Sequence, residues 1–485
     1  MASLEEIREA RLKKLRNLRE MGIDPYPAKS GRGFEIAQLI EDFENLQKSG
    51  KVVGIAGRVM ALRTQGAIVF ADIFDGTGKF QILLKKGEGV NEKEFDLFVD
   101  TVDMGDFVEA SGALFVTKRE EKTIQVSNWK ILTKSLRPLP EKWHGLQDTE
   151  ERYRMRYLDL LLNKELKDLI IKKSQFWDVV RSFMKERDFL EVETPTLELT
   201  TGGAEARPFK THHNDFDLDM YLRISVGELW QKRLMAAGFP KTFEIGRIYR
   251  NEGTSPEHLQ EFTNMEFYWG YSDYKDGMKL VRDLYITVAQ KVFGKTAFEY
   301  NGHTFDLADE WKEIDYAEEI KRQTGLNIES AEESEIKKKL DELKVAYKGE
   351  NRERLIDSIW KYCRKNISGP AFLINHPVLV APLAKKVAGK NVVQMFQPIL
   401  GGSEVGRGYS ELNDPIDQKE RFEEQGKMLE AGDEEAMMPD FEFVEMLEHG
   451  MPPTCGFGFG ERLFSILAGK PVRELQTFPL MRPKG

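Results

Sequence analysis

The sequence predicts an α+β protein of several domains, in which a small β-barrel precedes a larger domain built on an antiparallel sheet flanked by helices. Three observations support this fold class. A chain of 485 residues with 41% hydrophobic content is long enough for two or three globular domains. Five short strand patterns follow one another between residues 51 and 136. Farther along, the stretch from Phe243 to Tyr271 alternates as two apolar strands joined by a long polar loop.

Composition excludes several classes of protein. No apolar run approaches the length needed to cross a membrane, and the first twenty residues are charged rather than signal-like, so we expect no membrane association. Two distant cysteines, Cys363 and Cys455, form neither a disulfide framework nor a zinc-binding pattern, and a cytoplasmic setting is the expectation. The formal net charge of −10 argues against a generally basic surface. Local basic patches can nevertheless bind nucleic acid on an acidic chain.

The N-terminal third of the chain is predicted to contain three segments. Residues 1–50 are a helical extension, in which the helix from Leu4 to Met21 carries six basic residues and a leucine stripe that fit either an RNA-binding face or a solvated tether. Residues 51–136 are a five-stranded oligonucleotide-binding barrel, the OB-fold. Residues 137–155 are a linker, because the prolines of Arg137-Pro138-Leu139-Pro140 interrupt both helix and strand.

Residues 156–485 are predicted to form the larger domain. A long helix over Lys164 to Arg187 leads into a strand that ends near Pro195. The segment from about 277 to 370 is mostly charged, with opposite charges at helical spacing. We therefore expect it to be a helical insertion or connecting region.

The hairpin of the larger domain carries an unusual concentration of polar and aromatic side chains. Arg250 ends its first strand and presents a planar fork suited to a carboxylate or phosphate. His258 in the loop suits a terminal phosphate, and Phe262 offers a face on which a purine can stack. Glu266 and Tyr268 are two residues apart, so both face one side of a strand, where they suit an ammonium group. A solvated hairpin with ordinary surface charges is the alternative.

The hairpin, with RNEG followed by HLQEFTNMEFYW, resembles motif 2 of the class II aminoacyl-tRNA synthetases in their lysyl form. The resemblance covers nearly the whole chain: DFLEVETPTL is similar to motif 1, which implies a homodimer, and GFGFGERL is similar to motif 3. It implies a class II synthetase catalytic domain that converts lysine and ATP into lysyl-adenylate and then transfers lysine to the 3′ end of tRNA-Lys. It also implies contacts with the anticodon and acceptor end of that tRNA, and Mg²⁺ as cofactor.

The resemblance assigns individual residues to each partner. The residues implied for ATP are Arg250, Glu252, His258, Phe262, Glu404 and Arg462, of which Arg250, His258 and Arg462 would be catalytic. Those implied for lysine are Gly203, Glu228, Arg250, Glu266, Tyr268, Tyr409 and Glu411, and those implied for metal are Glu404 and Glu411. For the central anticodon base they are Arg63, Phe70 and Gln81, since an aromatic face stacks an unpaired base while an amide contacts its edge.

Several departures from the family pattern keep two alternatives open. Gln397 stands where a second metal-binding Glu is usual, Arg407 where an Asn is usual, and Glu257 where an Arg is frequent. Motif 3 is one residue short and ends in ERL, as in the aspartyl and asparaginyl relatives, and SVGEL replaces a shorter APEL before Glu228. One alternative is an aspartyl- or asparaginyl-type enzyme, which needs a cation for the substrate side chain. The other is a non-catalytic tRNA-binding paralogue that has kept the fold.

Overall fold

The structure is a computed structural model that describes residues 3–140, 148–204, 206–253, 255, 258–347, 351–432 and 436–483. The chain divides into two compact units, Met1–Leu162 and Asn163–Gly485. In the part of the chain that the structure describes, none of the helices combines the length and the apolar composition that crossing a bilayer requires. The two cysteines are buried and unpaired.

The first unit is a closed β-barrel with helices around it. Its helices are α1 (Leu4–Glu20), α2 (Ile36–Glu41), α3 (Phe43–Ser49), α4 (Glu92–Thr101), α5 (Thr149–Arg154) and α6 (Arg156–Leu162). Its strands are β1 (Val53–Gln65), β2 (Ile68–Phe74), β3 (Lys79–Lys86), β4 (Gly89–Val90), β5 (Phe107–Val116) and β6 (Lys122–Thr133). Pairing in the order β1-β2-β3-β6-β5-β1 closes a ring around an aliphatic and aromatic core. This five-strand ring confirms the predicted OB-fold barrel.

Basic side chains attach helix α1 to the barrel. Arg11 is only 7% exposed and donates hydrogen bonds to the backbone carbonyls of Met104 and Ser135. Lys14 pairs with Asp103 at 2.7 Å between Nζ and Oδ1. Because these cations are already satisfied inside the unit, they do not contribute to a basic face for RNA. Arg11 and Lys14 therefore attach the helix to the barrel.

The second unit is built on a nine-stranded sheet. Its helices are α7 (Lys164–Lys185), α8 (Glu228–Ala236), α9 (Tyr274–Val288), α10 (Tyr316–Thr324), α11 (Glu333–Glu342), α12 (Arg352–Cys363), α13 (Pro415–Glu430), α14 (Phe441–Glu448) and α15 (Arg462–Ala468). Its strands are β7 (Leu190–Glu191), β8 (Leu197–Glu198), β9 (Lys210–His213), β10 (Leu218–Leu222), β11 (Lys241–Tyr249), β12 (Glu261–Gly270), β13 (Ala297–Tyr300), β14 (His303–Asp306), β15 (Lys312–Asp315), β16 (Ala371–Ile374), β17 (Met395–Leu400), β18 (Ser403–Glu404), β19 (Arg407–Ser410) and β20 (Thr454–Gly460).

The main sheet runs β15-β16-β17-β19-β20-β12-β11-β7, with β18 paired to β17. It is antiparallel except for the outer pairs β15–β16 and β11–β7. One face packs on α7 and α9 through a large apolar cluster that includes Phe176, Phe267, Val281 and Phe457. The antiparallel sheet flanked by helices confirms the predicted fold class, and it leaves the other face of the sheet for polar groups.

The charged segment expected to be helical differs from that expectation in one respect. Besides four helices it contains the short strands β13, β14 and β15, and β15 joins the edge of the main sheet. Four residues give only two alternations of apolar and polar side chains, which is too little to distinguish a strand among charged neighbours. Pairing with β16 therefore determines the conformation of β15 more than its own sequence does.

Candidate active site

The predicted hairpin is formed by β11 and β12, which pair antiparallel from Lys241 opposite Trp269 to Tyr249 opposite Glu261. Since side chains alternate along a strand, the even-numbered residues of β12 share one face of the sheet. The odd-numbered residues Met265 and Phe267 are fully buried in the apolar cluster beneath. The polar face therefore carries Phe262, Asn264, Glu266 and Tyr268 in one row.

A strand of alternating glycines lies beside this row and forms the floor of a groove. Gly456, Gly458 and Gly460 of β20 stand opposite Tyr268, Glu266 and Asn264. On the far side of β20, β19 places Tyr409 opposite Gly456 and Arg407 opposite Gly458. A Cβ atom at Gly458 would lie 2.8 Å from Glu266 Cγ, so the groove depends on glycine there. Two rows of polar side chains thus border an open backbone floor.

One end of the groove is a buried cluster of charges. Nζ of Lys232, a residue only 1% exposed, lies 2.8 Å from Glu228 Oε1 and 2.5 Å from Glu411 Oε2. The hydroxyl of Tyr409 donates a hydrogen bond to the same oxygen of Glu228. Gly203 adjoins the cluster, because a Cβ atom on it would meet Glu228 Oε2 at 2.6 Å. The structure therefore brings together four of the residues expected to bind lysine and adds an ammonium group of the chain itself.

Lys232 was not anticipated, although the sequence contains a signal for it. It follows Glu228 by four residues on α8, and residues at this spacing are neighbours on a helix surface. Its second partner, Glu411, lies far away in sequence and follows β19. Only the fold brings the second carboxylate to Lys232.

Burial changes the protonation of the acidic side chains here. Burial and the nearby Glu228 raise the pKa of Glu411 to about 8, although Lys232 opposes the shift. Burial and Glu228 also raise the pKa of Glu266 to about 7, although a hydrogen bond from the amide of Val226 opposes the shift. Burial likewise raises the pKa of the Tyr268 hydroxyl, which donates to Glu266 Oε2 at 3.2 Å. The pocket is thus short of positive charge.

The other end of the groove holds cations and an aromatic ring. The Arg250 guanidinium donates through Nη2 to the carbonyl of Ile224 at 3.3 Å and lies 5.5 Å from the centroid of the Phe262 ring. Burial lowers the pKa of Arg250, and the neighbouring cations Arg462 and Arg407 lower it further. Arg462 is the first residue of α15. Guanidinium groups that repel one another in this way favour an anionic ligand between them.

Glu461 fixes the position at which α15 begins. Its carboxylate accepts a hydrogen bond from the Thr263 amide at 3.0 Å and pairs with Lys173 Nζ at 2.7 Å. Burial alone would raise the pKa of Glu461, but Lys173 and the hydrogen bonds lower it overall. Glu461 therefore stays ionised and joins the end of β12 to the helix that carries Arg462.

The loop residues of the hairpin are more exposed. Glu252 is exposed yet near enough to Arg250 to oppose the fall in its pKa. His258 is exposed, and its Nδ1 lies 2.7 Å from Ser255 Oγ. Glu257 lies outside the described residues. The expected roles of Glu252 and His258 toward ATP remain predictions.

The residues expected to hold Mg²⁺, Glu404 and Glu411, have other partners, and Glu411 is paired with Lys232. Glu404 Oε1 accepts a hydrogen bond from Trp360 Nε1 at 2.6 Å, and its Oε2 lies 3.3 Å from Arg364 Nη1. Gln397 Oε1 lies 2.8 Å from Nε2 of His376, whose pKa burial lowers to about 3. Within the described ranges, no three His, Cys, Asp or Glu side chains come together as a metal site. Because Mg²⁺ prefers carboxylate oxygens, this donor set does not fit a protein-held ion.

In the barrel, the three residues expected to bind the anticodon are neighbours. Arg63 on β1 stands directly opposite Phe70 on β2, and Gln81 on β3 stands opposite Asp72. Arg63 pairs with Asp72 at 3.3 Å, and Gln81 Oε1 accepts a hydrogen bond from the Thr123 hydroxyl at 3.0 Å. A guanidinium, an aromatic ring and an amide therefore share one face of the barrel, an arrangement that suits an unpaired base.

Comparisons with known proteins agree with this geometry. Residues 148–482 match the family described as tRNA synthetases class II (D, K and N), and residues 53–132 match the OB-fold nucleic acid binding domain. The chain is 43% identical to the protein named lysine–tRNA ligase from Roseiflexus sp. (strain RS-1), covering 99% of both chains. Proteins of the same name from Thermotoga maritima and Thermoanaerobacter sp. (strain X514) are 43% and 44% identical, covering 99% of this chain and 97% of each relative. The chain therefore belongs to the class II tRNA synthetases of the D, K and N group.

Proposed function

We propose that this chain is a lysine–tRNA ligase, which activates L-lysine with ATP and transfers it to the 3′ end of tRNA-Lys. The observation that carries the proposal is the charge cluster formed by Glu228, Glu411 and Lys232. This pocket already surrounds one alkylammonium group with two carboxylates and two tyrosine rings. With both carboxylates ionised, two carboxylates and one ammonium carry a net negative charge, and one further ammonium group favours that ionised state.

In the proposed complex, charge selects the substrate. Glu411 and Tyr268 bind the ε-ammonium of lysine, while Glu228 and the backbone near Gly203 bind its α-ammonium. An uncharged side chain would leave the buried carboxylate of Glu411 without its second partner, which is a strong basis for rejection. Ornithine differs by only one methylene, and its rejection is worth about 1–3 kcal/mol.

The chemical step needs no covalent enzyme intermediate. A carboxylate oxygen of lysine attacks the α-phosphorus of ATP, the bond to the β-phosphate oxygen breaks, and pyrophosphate leaves with that oxygen. Arg250 holds the lysine carboxylate and the α-phosphate together while charge spreads over the phosphoryl oxygens. Phe262 stacks on adenine and Glu252 accepts its hydrogen bonds, while His258 and Arg462 hold the terminal phosphate. Loss of a contact such as that of Arg250 costs about 10²–10³ in rate.

An aspartyl- or asparaginyl-type enzyme is less consistent with the pocket. Such an enzyme needs a cation for the substrate side chain, and the cation within the buried charge cluster is Lys232. Its charge is already compensated by two carboxylates. A carboxylate substrate would meet net negative charge there.

Two further parts of the proposal concern tRNA and assembly. The barrel face with Arg63 and Phe70 binds the anticodon, and the acceptor end enters the groove. The homodimer forms through the elements that resemble motif 1. It is supported by apolar side chains that are about half exposed on and beside α7, β7 and β8, namely Ile171, Leu190, Leu197 and Leu199.

The test is ATP–pyrophosphate exchange with each of the twenty amino acids, without tRNA. Exchange with lysine alone is the expected result. Exchange with aspartate or asparagine would instead indicate an aspartyl- or asparaginyl-type enzyme. No exchange with any amino acid, both without and with added tRNA, would favour a non-catalytic paralogue.

A further inference from the structure

Arg407 occupies a central position in the groove. It stands opposite Gly458 of β20, and Glu266 of β12 stands opposite the same glycine from the other side. Residues that face each other across neighbouring strands point to the same side of a sheet. Arg407 therefore lies on the polar face, between the end that holds Tyr409 and the end that holds Arg250.

This guanidinium is poorly compensated. Its Nη2 donates to the carbonyl of Val380, and its Nε is buried without a hydrogen-bond partner. Among the described residues it forms no ion pair, whereas other buried cations of this unit do. Arg223 pairs with Glu244 at 2.6 Å, and Lys173 pairs with Glu461 at 2.7 Å. A partly buried charge without an ion-pair partner is costly, so Arg407 is prepared for an anion that arrives from outside.

Other cations lie around Arg407. Its charge contributes to the lowered pKa values of Arg250 and His376, for which burial is the larger cause. Arg462 acts on Arg250 in the same direction. Arg250 and Arg462, like Arg407, form no ion pair within the described ranges of the chain. Three guanidinium groups without an ion pair in the described part of the chain thus border one groove, and a chain of phosphates is a ligand that would neutralise them.

The acidic groups beside Arg407 do not provide a competing metal site. Glu404 is held by Trp360 and Arg364, and the nearby Gln397 is an uncharged amide held by His376. Positive charge at this point of the groove therefore comes from a side chain, while the donors for a protein-held divalent ion are lacking.

We propose that Arg407 binds the phosphates of the nucleotide and supplies there the positive charge that a protein-held divalent cation would otherwise supply. This inference rests on the proposed function only in taking a nucleoside triphosphate as the ligand of the groove. A guanidinium fixed by the sheet is preorganised, so it neutralises developing charge without the need to assemble a metal site.

The experiment measures binding of ATP to the full-length protein in EDTA, without divalent cations, by calorimetry. Wild type is compared with Arg407→Gln, which removes the charge, and with Arg407→Lys, which keeps the charge but not the fork. Arg322→Gln is the control, because this exposed cation pairs with Glu319 on α10 outside the groove. We expect the Kd for Mg²⁺-free ATP to rise at least tenfold in Arg407→Gln, to rise less in Arg407→Lys, and to stay unchanged in the control.

Two further measurements separate phosphate binding from other roles. The Kd for lysine should be unchanged in Arg407→Gln, because the amino-acid end of the groove keeps its own charges. Adding Gln397→Glu to Arg407→Gln should restore ATP binding only when Mg²⁺ is present, because a second carboxylate then becomes available for the ion.

Several outcomes would overturn the proposal. One is an unchanged Kd for ATP in Arg407→Gln, and another is weaker lysine binding with unchanged ATP binding. If Arg407→Gln does not fold, Arg407→Lys is compared with a folded Arg407→Met variant instead. Equal affinity for ATP in these two variants would contradict the proposal. The ATP-binding experiment contains no amino acid, so its result does not depend on the proposed function. If the wild type showed no ATP–pyrophosphate exchange with any amino acid, the proposed function would be refuted, but the role of Arg407 could still be tested.

Discussion

At the scale of single residues, the pocket depends on a balance of buried charges. Glu411 supplies one of the two carboxylates around the Lys232 ammonium, and it is almost fully buried. The variant Glu411→Gln keeps the shape of the side chain but removes the charge that pairs with the substrate. We expect lysine-dependent pyrophosphate exchange to disappear while ATP binding is retained. Exchange at the wild-type rate in this variant would refute the assignment of Glu411 to the lysine side chain.

Lys232 leads to a separate prediction. Replacing it with Met leaves Glu228 and Glu411 buried and mutually repulsive, so we expect a loss of about 3–5 kcal/mol in the free energy of unfolding. The added change Glu228→Gln removes one of the repelling charges and should recover part of that loss. Denaturant unfolding of the single and double variants measures both effects.

A nearby cation provides the control for Lys232. Arg233 follows it on α8, but pairs with Asp440 at 3.0 Å rather than with the charge cluster. The variant Arg233→Met should therefore leave the KM for lysine near the wild-type value, whereas Lys232→Met should raise it at least tenfold. Tighter lysine binding in Lys232→Met would mean that Lys232 competes with the substrate instead of positioning the carboxylates.

Single residues also show how far sequence reasoning reaches. Phe262, Glu266 and Tyr268 could be placed on one face because the period of a strand is fixed at two residues. The ion pair between Lys232 and Glu411 could not be predicted, since the two residues are far apart in sequence and meet only in the folded chain. The partners of Glu404 were missed for the same reason, because Trp360 and Arg364 come from a distant helical segment.

At the scale of secondary-structure elements, the glycine strand β20 gives the groove its depth. A Cβ atom at Gly458 would approach Glu266 Cγ to 2.8 Å and project between Glu266 and Arg407. We expect Gly458→Ala to lower pyrophosphate exchange about 10²-fold, the effect of displacing reacting groups by about 1 Å. Overpacking of this kind costs about 1–3 kcal/mol in stability, so the protein should still fold.

The matched control for Gly458 is a glycine outside the groove. A Cβ atom on Gly426 of helix α13 would meet only the Pro439 ring, at 3.4 Å. The variant Gly426→Ala should keep full exchange activity, because alanine is favourable inside a helix. Equal activity in the two alanine variants would show that the floor of the groove tolerates a side chain.

The elements that could be predicted are those with long, regular patterns. The hairpin β11–β12, the barrel strands and helix α7 each repeat their period several times, and the structure contains all of them. The short strands β13, β14, β15, β18 and β19 have too few residues for a period to emerge. Their conformation follows from neighbours in the sheet, which local sequence does not encode.

At the scale of the whole molecule, each compact unit has its own apolar core and its own candidate binding face. The barrel carries the face with Arg63, Phe70 and Gln81, and the second unit carries the groove. In the proposed function, the reactants of adenylate formation are small and would bind only the groove. Transfer to tRNA would engage both units, because one tRNA presents its anticodon and its acceptor end at once.

This assignment of the two steps predicts that a change in the barrel affects only the transfer of lysine to tRNA. Phe70 is partly buried and stands beside Arg63 on the barrel face. Loss of one stacked base costs about 1–3 kcal/mol, so Phe70→Ala should lower kcat/KM for aminoacylation of tRNA-Lys correspondingly. Pyrophosphate exchange with lysine should be unchanged, since neither lysine nor ATP contacts the barrel in the proposed reaction.

The control for Phe70 is another partly buried aromatic ring of the same barrel. Phe107 lies at the start of β5, with the Arg58 guanidinium 4.3 Å above its ring. Phe107→Ala removes a comparable side chain at a different place, so any general loosening of the barrel should appear equally in both variants. A selective loss of aminoacylation in Phe70→Ala would assign the anticodon to this face. Equal losses in both would instead mean that the barrel acts through its overall stability, because neither ring would then be distinguished by contact with a base.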